Sequence, residues 1–396
     1  MPNNTPLPES LRASAAHLAE TIGARPAGSP AERRAQDWLA DQLSRLGYRC
    51  EWQEFAFAPL PSFFPYYSLA SLWLMAAIWL LPGVPWLAVL ALLWISLLPA
   101  LRMGLQYRLP RTARSQNLLC LPDESAPAEL DLLLVAHVDT ARALPYAEGI
   151  VYALRVNRQA VFTRAAWIAA FFGGLVVFQI AVPPALIGLA AALISLLGAA
   201  YIGLDYYDQR GSGGTFTPGA NDNASGVAVL LELARWLAGQ PHLRCKVGFL
   251  FTGAEEAGLF GARHAAGQLK PLRQSLRVLS VDTVGSGDSL RIFSGVRGWR
   301  AFFTDAVLNR QLQTADPSAR PYLAERRSGD FEPFVRAGFR ASGIETSGTP
   351  AFWRAYHTPH DDLSLLDDGR MAQTCQTLQR WIEQTLPDGE KTSPEG

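Results

Sequence analysis

The sequence lacks net charge, a cysteine framework and the marks of a signal peptide. Its 35 Lys and Arg residues balance 35 Asp and Glu residues, so no basic surface indicates a nucleic-acid partner. The four cysteines lie far apart without a Cys-x-x-Cys pair, which favours a reducing compartment or plain core packing over disulfide bonds. Because no basic segment precedes an apolar run at the start, we expect no cleavable signal peptide.

Two common hydrolase motifs are also absent. The chain contains no Gly-x-Ser-x-Gly nucleophile elbow and no His-Glu-x-x-His helix, so serine chemistry and that type of helical zinc site are poor candidates. With 396 residues, the chain has ample material for one large domain or two ordinary ones.

Charged residues are missing from two long stretches, residues 55–101 and 165–204. Prolines at 82–85 and 182–184 divide each stretch into halves of about 18 to 20 residues, the length that crosses a bilayer. Since no polar face breaks either half, we predict two transmembrane helical hairpins, at 62–101 and 165–204. A hairpin buried in a protein core is the alternative.

Arginines flank the predicted hairpins on one side only, because the turns between the helices carry no charge. The flanking arginines are Arg102, Arg108, Arg111, Arg114, Arg155, Arg158 and Arg164. By the positive-inside rule, the bulk of the protein is cytoplasmic. We therefore expect a multi-pass protein of the cell (inner) membrane, with four helices in the lipid bilayer.

Outside the hairpins, short apolar runs alternate with helical patterns. Strands are predicted at Tyr48–Ala56, Asn117–Leu121, Asp131–Ala136, Lys246–Thr252, Leu276–Asp282 and Ser289–Phe293. Helices are predicted at 29–47, 223–239, 257–268, 298–312, 328–337 and 367–385. This alternation is typical of an α/β fold with a mostly parallel mixed sheet sandwiched by helices. We expect one domain in three parts, 1–61, 102–164 and 205–386, followed by a polar tail at 387–396.

His137 and Asp139 lie at the end of one predicted strand. The period of two along a strand places both side chains on one side, so the Asp139 carboxylate could orient the His137 imidazole. Alone, His-x-Asp is more typical of a structural histidine than of a metal ligand.

Carboxylates and a second histidine stand at further strand ends and loops. Glu255 and Glu256 are adjacent after an apolar strand, where they repel each other unless positive charge lies between them. A solvated helix start is the alternative for this pair. Asp282 ends another strand, Asp222 precedes an apolar helix, and His357 alone is typical of a loop histidine.

As a set, these residues are typical of a paired metal centre. One histidine and one carboxylate for each cation, with one carboxylate shared, is an arrangement that holds two divalent metals roughly 3.5–4 Å apart. Mixed histidine and carboxylate ligands favour two Zn²⁺, with Mn²⁺ or Co²⁺ as substitutes. One metal site accounts for residues that would otherwise need separate explanations.

Four segments resemble metallopeptidase family twenty-eight, the co-catalytic zinc aminopeptidases. They read His-Val-Asp at 137–139, Gly-Ala-Asn-Asp-Asn-Ala-Ser-Gly at 219–226, Gly-Ala-Glu-Glu-Ala-Gly-Leu-Phe-Gly-Ala-Arg-His at 253–264 and Tyr-His-Thr-Pro-His-Asp-Asp at 356–362. Relatives in that family include glutamate carboxypeptidases and glutaminyl cyclases. The similarity extends over about residues 20–385, the hairpins excluded.

The resemblance implies a ligand set for two zinc ions. His137 and Asp282 would hold one ion, Glu256 and His357 the other, and Asp222 would bridge them.

The resemblance also implies three catalytic roles. Glu255 would be the general base that takes a proton from the attacking water and passes it to the leaving amine. Asp139 would support His137, and Tyr356 would donate a hydrogen bond to the oxyanion.

The chain departs from the family pattern in two places. The usual Ser-Asp-His appears as Ser-Gly-Asp-Phe at 328–331, which affects a substrate contact and no metal ligand. The connection from His137 to Asp222, usually a short loop, contains the second predicted hairpin. We therefore expect the catalytic mouth to open near the cytoplasmic membrane surface and to favour peptides with apolar ends.

The expected function is a membrane-anchored zinc aminopeptidase with a cytoplasmic catalytic domain and peptide substrates. A carboxypeptidase, a dipeptidase or an aminoacyl-amide hydrolase on the same site is the alternative among enzymes. A glutaminyl cyclase fits less well, since that branch works with one zinc. A non-catalytic membrane scaffold is the alternative outside enzymes, and the complete ligand set argues against it.

Overall fold

The computed structural model describes most of the chain outside the two predicted hairpins. The described residues are 6–58, 110–122, 125–145, 196, 214–243, 245–297, 301–325 and 327–385. The chain divides into two compact units, one formed by Met1–Phe57, Arg111–Tyr146 and Thr215–Gly396, and the other by Ala58–Pro110 and Ala147–Gly214. The second unit lies almost entirely outside the described residues.

The predicted hairpins at 62–101 and 165–204 lie outside the described residues, Leu196 apart. In the part of the chain that is described, no helix combines the length and the apolarity needed to cross a bilayer. The hairpins, and the domain boundaries derived from them, stay predictions.

The first unit contains a nine-stranded sheet with helices between the strands. Its strands are β1 (Tyr48–Phe57), β2 (Ala113–Pro122), β3 (Leu132–His137), β4 (Val247–Thr252), β5 (Arg277–Val281), β6 (Ser289–Arg297), β7 (Phe302–Phe303), β8 (Arg320–Glu325) and β9 (Arg340–Ser347). Its helices are α1 (Leu7–Ala16), α2 (Pro30–Ser44), α3 (Gly226–Ala238), α4 (Phe260–Gln268), α5 (Ala306–Ala315), α6 (Phe331–Ala337), α7 (Pro350–Ala355) and α8 (Asp368–Thr385).

The strand order is β1-β2-β4-β3-β5-β9-β6-β7, with β8 paired to β6. The four central strands β4, β3, β5 and β9 are parallel, whereas β1, β2 and β7 join antiparallel. Strand β6 is antiparallel to β9 and parallel to β8. The expected mixed α/β sheet is confirmed, but its parallel character is limited to the centre and to the β6–β8 pair.

Apolar faces on both sides of the sheet account for the three layers. Strands β3 and β4 are buried along their whole length, as expected for a parallel centre covered by helices. Helices α1, α2, α3, α5 and α8 contribute to one core cluster, and α4 and α6 to a second one across the sheet. The carboxyl ends of the central strands are thereby held at one edge.

Helix α2 begins with a side-chain cap. The hydroxyl of Ser29 accepts a hydrogen bond from the N–H of Glu32, and Pro30 occupies the first turn. The reciprocal half of a capping box is absent from this helix start, because the Glu32 carboxylate accepts from the N–H of Gly28 instead of Ser29.

The expectation of no disulfide bonds is wrong. Cys50 and Cys120 face each other across β1 and β2, with Cα atoms 4.1 Å apart, and form a disulfide bond. Sequence spacing concealed the pair, because the two strands are separated by the first charge-free stretch. Cys245 and Cys375 are free thiols.

Candidate active site

The predicted site residues converge at the carboxyl edge of the parallel strands. His137 ends β3, Asp282 follows β5, and Glu255 and Glu256 lie in the turn after β4. Because β3, β4 and β5 are parallel neighbours, their ends meet at one place.

Two more residues reach the same place from loops. Asp222 lies in the kinked turn Ala220–Ser225 that leads into α3, where the backbone of Asp222 and Asn223 is non-helical, and His357 follows α7. Three residues at this edge have an unusual backbone conformation, which sets the direction of their side chains. Ala254, Thr283 and His357 have φ values of 52°, 50° and 56°, in the left-handed region that side chains rarely adopt.

The two carboxylate oxygens of Asp222 face different histidines. Asp222 Oδ1 lies 3.0 Å from Nε2 of His137, and Oδ2 lies 3.2 Å from Nε2 of His357. Asp282 Oδ1 is 3.6 Å from His137 Nε2, and Glu256 Oε1 is 3.4 Å from His357 Nε2. The structure thus brings together all five predicted ligands, in two histidine–carboxylate pairs with Asp222 between them.

This donor set fits a divalent cation. His137, Asp222 and Glu256 each offer a ligand atom, and these atoms lie within 4.8 Å of one another. Oδ1 of Asp282 is buried without a hydrogen-bond partner among the described residues, as expected for an atom whose partner is a metal. Imidazole and carboxylate groups together are typical of a zinc site. The number of ions stays a prediction.

Without a cation, the histidines supply the positive charge that the carboxylates require. Burial lowers the pKa of His137, but the charge of Glu255 and the nearby carboxylates of Asp222 and Asp282 raise that pKa well above its ordinary value. Burial raises the pKa of Asp222, yet hydrogen bonds from His137 and His357 bring it far below its ordinary value. A divalent cation would replace the protons on the two imidazoles.

Glu255 is placed to hold a proton. Its side chain lines a small cavity of about 20 Å³ together with Asp222, Glu256 and Asp282. Burial, followed by the nearby negative charges, raises the pKa of Glu255 well above its ordinary value, although His137 opposes the shift. A carboxyl group with a raised pKa beside the ligand set is suited to general base and acid chemistry.

Asp139 supports the site differently from the prediction. His137 Nδ1 donates a hydrogen bond to the backbone oxygen of Asp139 at 3.0 Å, while the Asp139 carboxylate lies 3.8 Å from Nδ1. That carboxylate accepts the N–H groups of Glu255 and Glu256, each at 3.0 Å. Asp139 therefore fixes the imidazole with its main chain and the paired glutamates with its side chain.

Tyr356 lines the same cavity as Glu255. Its ring stacks on the imidazole of His357, with 3.9 Å between ring centroids. Burial raises the pKa of Tyr356, so the phenol keeps its proton at neutral pH and can donate a hydrogen bond. Its part in stabilising an oxyanion stays a prediction.

Sequence reasoning missed the residues that hold the bridging aspartate. The Asp361 carboxylate accepts the N–H of Asn221 at 2.7 Å and the N–H of Asp222 at 3.1 Å. The buried Arg25 guanidinium donates to the backbone oxygens of Gly219 and of Pro218, just before the turn. Asp361 lies in one of the segments that resemble the family, but nothing in the spacing of either residue indicates these contacts.

Asp330 and Arg327 were also missed, although Asp330 lies within the segment 328–331 that departs from the family pattern and Arg327 directly precedes it. Asp330 is buried and accepts a hydrogen bond from the hydroxyl of Thr252, and burial raises its pKa to about 6. Arg327 lines the cavity opposite the ligand carboxylates.

Comparisons with known proteins find peptidases that are similar to parts of this chain. Residues 205–382 match Peptidase family M28. The aminopeptidase YwaD of Bacillus subtilis is 30% identical over 168 residues, which cover 40% of this chain and 36% of that protein. A probable zinc metalloprotease of Leptosphaeria maculans is 30% identical over 179 residues, covering 36% of this chain and 41% of the relative. The chain thus spans about two fifths of the length of these curated relatives.

The fold is shared with solved structures over nearly the whole chain. A zinc aminopeptidase from Bacillus subtilis superposes with a TM-score of 0.58 at 16% identity, covering 99% of this chain and 98% of that one. A glutaminyl cyclase from Porphyromonas gingivalis gives a TM-score of 0.57 at 15% identity, covering 95% and 97%. Over residues 205–382 the chain is thus similar to Peptidase family M28, and it shares its fold with these solved structures.

Proposed function

We propose that this protein is a zinc-dependent aminopeptidase that hydrolyses N-terminal residues from peptides. The match to Peptidase family M28 and the relatives named as aminopeptidases support a metallo-aminopeptidase. The observation that carries the proposal is the position of Asp222, whose two carboxylate oxygens face His137 and His357 at 3.0 and 3.2 Å. Each histidine has a further carboxylate beside it, so the site is complete for a pair of ions.

The residues divide the chemistry between them. His137 and Asp282 would hold one zinc ion, Glu256 and His357 the other, and Asp222 both. When bound, the ions would polarise the scissile carbonyl and lower the pKa of water, with Mn²⁺ or Co²⁺ as substitutes.

Glu255 takes the proton of the attacking water and returns it to the leaving amine. A raised pKa makes its carboxylate a stronger base towards the proton of that water. Tyr356 donates to the oxygen on which negative charge develops. Asp139 keeps Glu255 and Glu256 in register through their N–H groups.

The test combines metal content with turnover. We expect purified protein to contain two equivalents of zinc per chain, and a chelator to abolish hydrolysis of aminoacyl fluorogenic substrates. The Glu255→Gln variant should keep its zinc but lose about 10²- to 10⁴-fold in kcat. Full turnover by this variant would refute Glu255 as the base, and a chelator-resistant activity would refute the metallopeptidase.

We also propose that residues 62–101 and 165–204 anchor the enzyme in a membrane. The proposal rests on the absence of charge from both stretches and on their length. The described residues before and after the second stretch pair with each other. Ala143 N–H donates to the backbone oxygen of Thr215, and Thr217 N–H donates to that of Ala141. Detergent extraction should therefore be required to recover the protein from cells.

The side of the membrane follows from the flanking arginines. We propose a cytoplasmic catalytic domain, because positive charge marks the cytoplasmic ends of spanning helices. The Cys50–Cys120 disulfide bond favours the opposite side, because disulfide bonds persist in oxidising compartments. The topology experiment described in the Discussion decides between the two.

A further inference from the structure

Arg327 stands in the cavity wall beside the catalytic residues. The lining of this cavity includes five carboxylates, and Arg327 is the cation among its described residues. The carboxylates are Asp222, Glu255, Glu256, Asp282 and Glu345. Phe293, Phe331 and Ile344 complete an apolar part of the wall, so a charge that enters the cavity meets little water.

The guanidinium of Arg327 is held in one orientation. Its Nη1 lies 3.1 Å from Oε1 and 2.9 Å from Oε2 of Glu345, a residue that is only 1% exposed. The rings of Tyr356, Trp353 and Phe352 surround the guanidinium carbon, with centroids 4.8, 5.2 and 5.4 Å away. The side chain is therefore anchored before any substrate arrives.

One edge of this guanidinium has no partner. Nη1 carries the contact with Glu345, whereas Nε and Nη2 donate no hydrogen bond to any described residue. These two groups form the side-on edge of arginine, whose parallel N–H bonds match both oxygens of a carboxylate. The side chain lines the cavity and is 17% exposed.

We propose that Arg327 binds a carboxylate of the substrate through its Nε–Nη2 edge. The enzyme would then favour peptides that carry a carboxylate close to the scissile bond, in preference to long neutral peptides. This inference rests on the proposed aminopeptidase function, because it places the substrate at the same cavity. The carboxylate has two sources, the C-terminus of a dipeptide or an acidic side chain at the N-terminal residue.

Two variants of Arg327 keep the test independent of folding. Arg327→Lys retains the charge beside Glu345 but lacks the two-donor edge. The double variant Arg327→Met with Glu345→Met removes both charges, so no buried carboxylate is left unpaired. Arg336→Lys is the matched control, because Arg336 also pairs with a glutamate, Glu332 at 2.6 Å, and covers the ring of Phe302 without lining the cavity.

Paired substrates separate the two sources of the carboxylate. Leu-Leu is compared with Leu-Leu amide for the C-terminal source, and glutamyl anilide with leucyl anilide for the side-chain source. In one of these pairs, we expect both Arg327 variants to raise KM for the acidic member by about 10- to 100-fold, with the neutral member changed less than threefold. Arg336→Lys should leave both ratios unchanged.

Equal effects on the acidic and neutral members of both pairs would overturn the proposal, since a structural role alone predicts them. Calorimetric binding of Leu-Leu and of glutamyl amide separates this inference from the proposed function. Binding that weakens in the Arg327 variants without any hydrolysis by the wild type would refute the aminopeptidase and support the carboxylate site. Hydrolysis with binding insensitive to Arg327 would refute the carboxylate site alone.

Discussion

The position of Asp222 depends on residues outside the predicted ligand set. The Asp361 side chain accepts hydrogen bonds from the N–H groups of Asn221 and Asp222, and burial raises the pKa of Asp361 to about 8. The Arg25 guanidinium donates hydrogen bonds to the backbone oxygens of the preceding residues, Pro218 and Gly219. The position of the shared carboxylate is therefore set by a carboxylate and a guanidinium that are both buried.

Asp361→Asn should weaken zinc binding by about 10- to 100-fold, because an amide can accept only one of the two N–H bonds and meets the other with its own N–H₂. Competition with a fluorescent chelator measures the affinity. Asp362→Asn is the neighbouring control, since Asp362 only caps a short turn through the N–H of Ser364. Equal affinities of the wild type and Asp361→Asn would remove Asp361 from the metal site's support.

The raised pKa of Glu32 predicts that the free energy of unfolding depends on pH. Burial and the charge of Asp139 raise its pKa to about 8 from an ordinary 4.5. The folded state therefore holds this proton where the unfolded state has lost it. The contribution of Glu32 to the free energy of unfolding is complete below about pH 4.5 and is lost as the pH rises towards 8.

Glu32→Gln should make the fall in unfolding free energy between pH 5 and 8 shallower, by about 1 kcal/mol per pH unit. Thermal unfolding in a fixed zinc buffer at several pH values measures the slope. Glu51→Gln is the control, because Glu51 is exposed on β1 beside Arg49. A slope that is identical in the wild type and Glu32→Gln would contradict the raised pKa.

At the scale of elements, the sequence predicts the strands that carry the site better than those that flank it. The apolar runs before His137, Glu255 and Asp282 mark β3, β4 and β5 to within a residue or two of each end. Convergence of their ends follows from the parallel rule alone. The approach of the candidate ligands His137, Glu256 and Asp282 could be predicted for that reason.

Strand β9 escaped prediction although it lies in the centre of the sheet. Its sequence, Arg-Ala-Ser-Gly-Ile-Glu-Thr-Ser, contains few β-branched residues, and Gly343 interrupts its pattern. The structure explains the glycine, because a Cβ there would lie 2.4 Å from the ring of Phe331. The helix predicted at 298–312 is observed at Ala306–Ala315, where Asp305 caps it by accepting the N–H of Leu308. Contacts between distant segments, such as Asp361 with Asp222, carry no signal of this local kind.

The link between β1 and β2 predicts a redox-dependent stability. The Cys50–Cys120 bond closes a sequence separation of 70 residues, which by loop entropy stabilises the folded state by up to about 4 kcal/mol. The double variant Cys50→Ala with Cys120→Ala should lower the melting temperature, and a reductant should lower that of the wild type alone. Cys245→Ala is the control, since Cys245 is a free thiol. A wild-type melting temperature that ignores the reductant would show that the bond does not form.

At the scale of the whole molecule, sidedness is the open prediction. The arginine distribution predicts that a C-terminal fusion behind α8 stays in the cytoplasm. We expect a reporter that works only in the cytoplasm to be active there, and a reporter that requires export to be inactive. The reverse result would place the catalytic domain outside and agree with the disulfide bond. The expectation that the mouth opens near the membrane surface depends on this result and stays a prediction.

The paired segments around Ala143 and Thr215 have one more implication. Leu144 N–H donates to the backbone oxygen of His357, so the chain departs and returns beside that histidine while its two ends hold each other. The described residues before and after residues 146–213 are therefore held in place by hydrogen bonds within the first unit. The insertion therefore starts and ends at hydrogen-bonded segments, the first of which also contacts the main chain of His357.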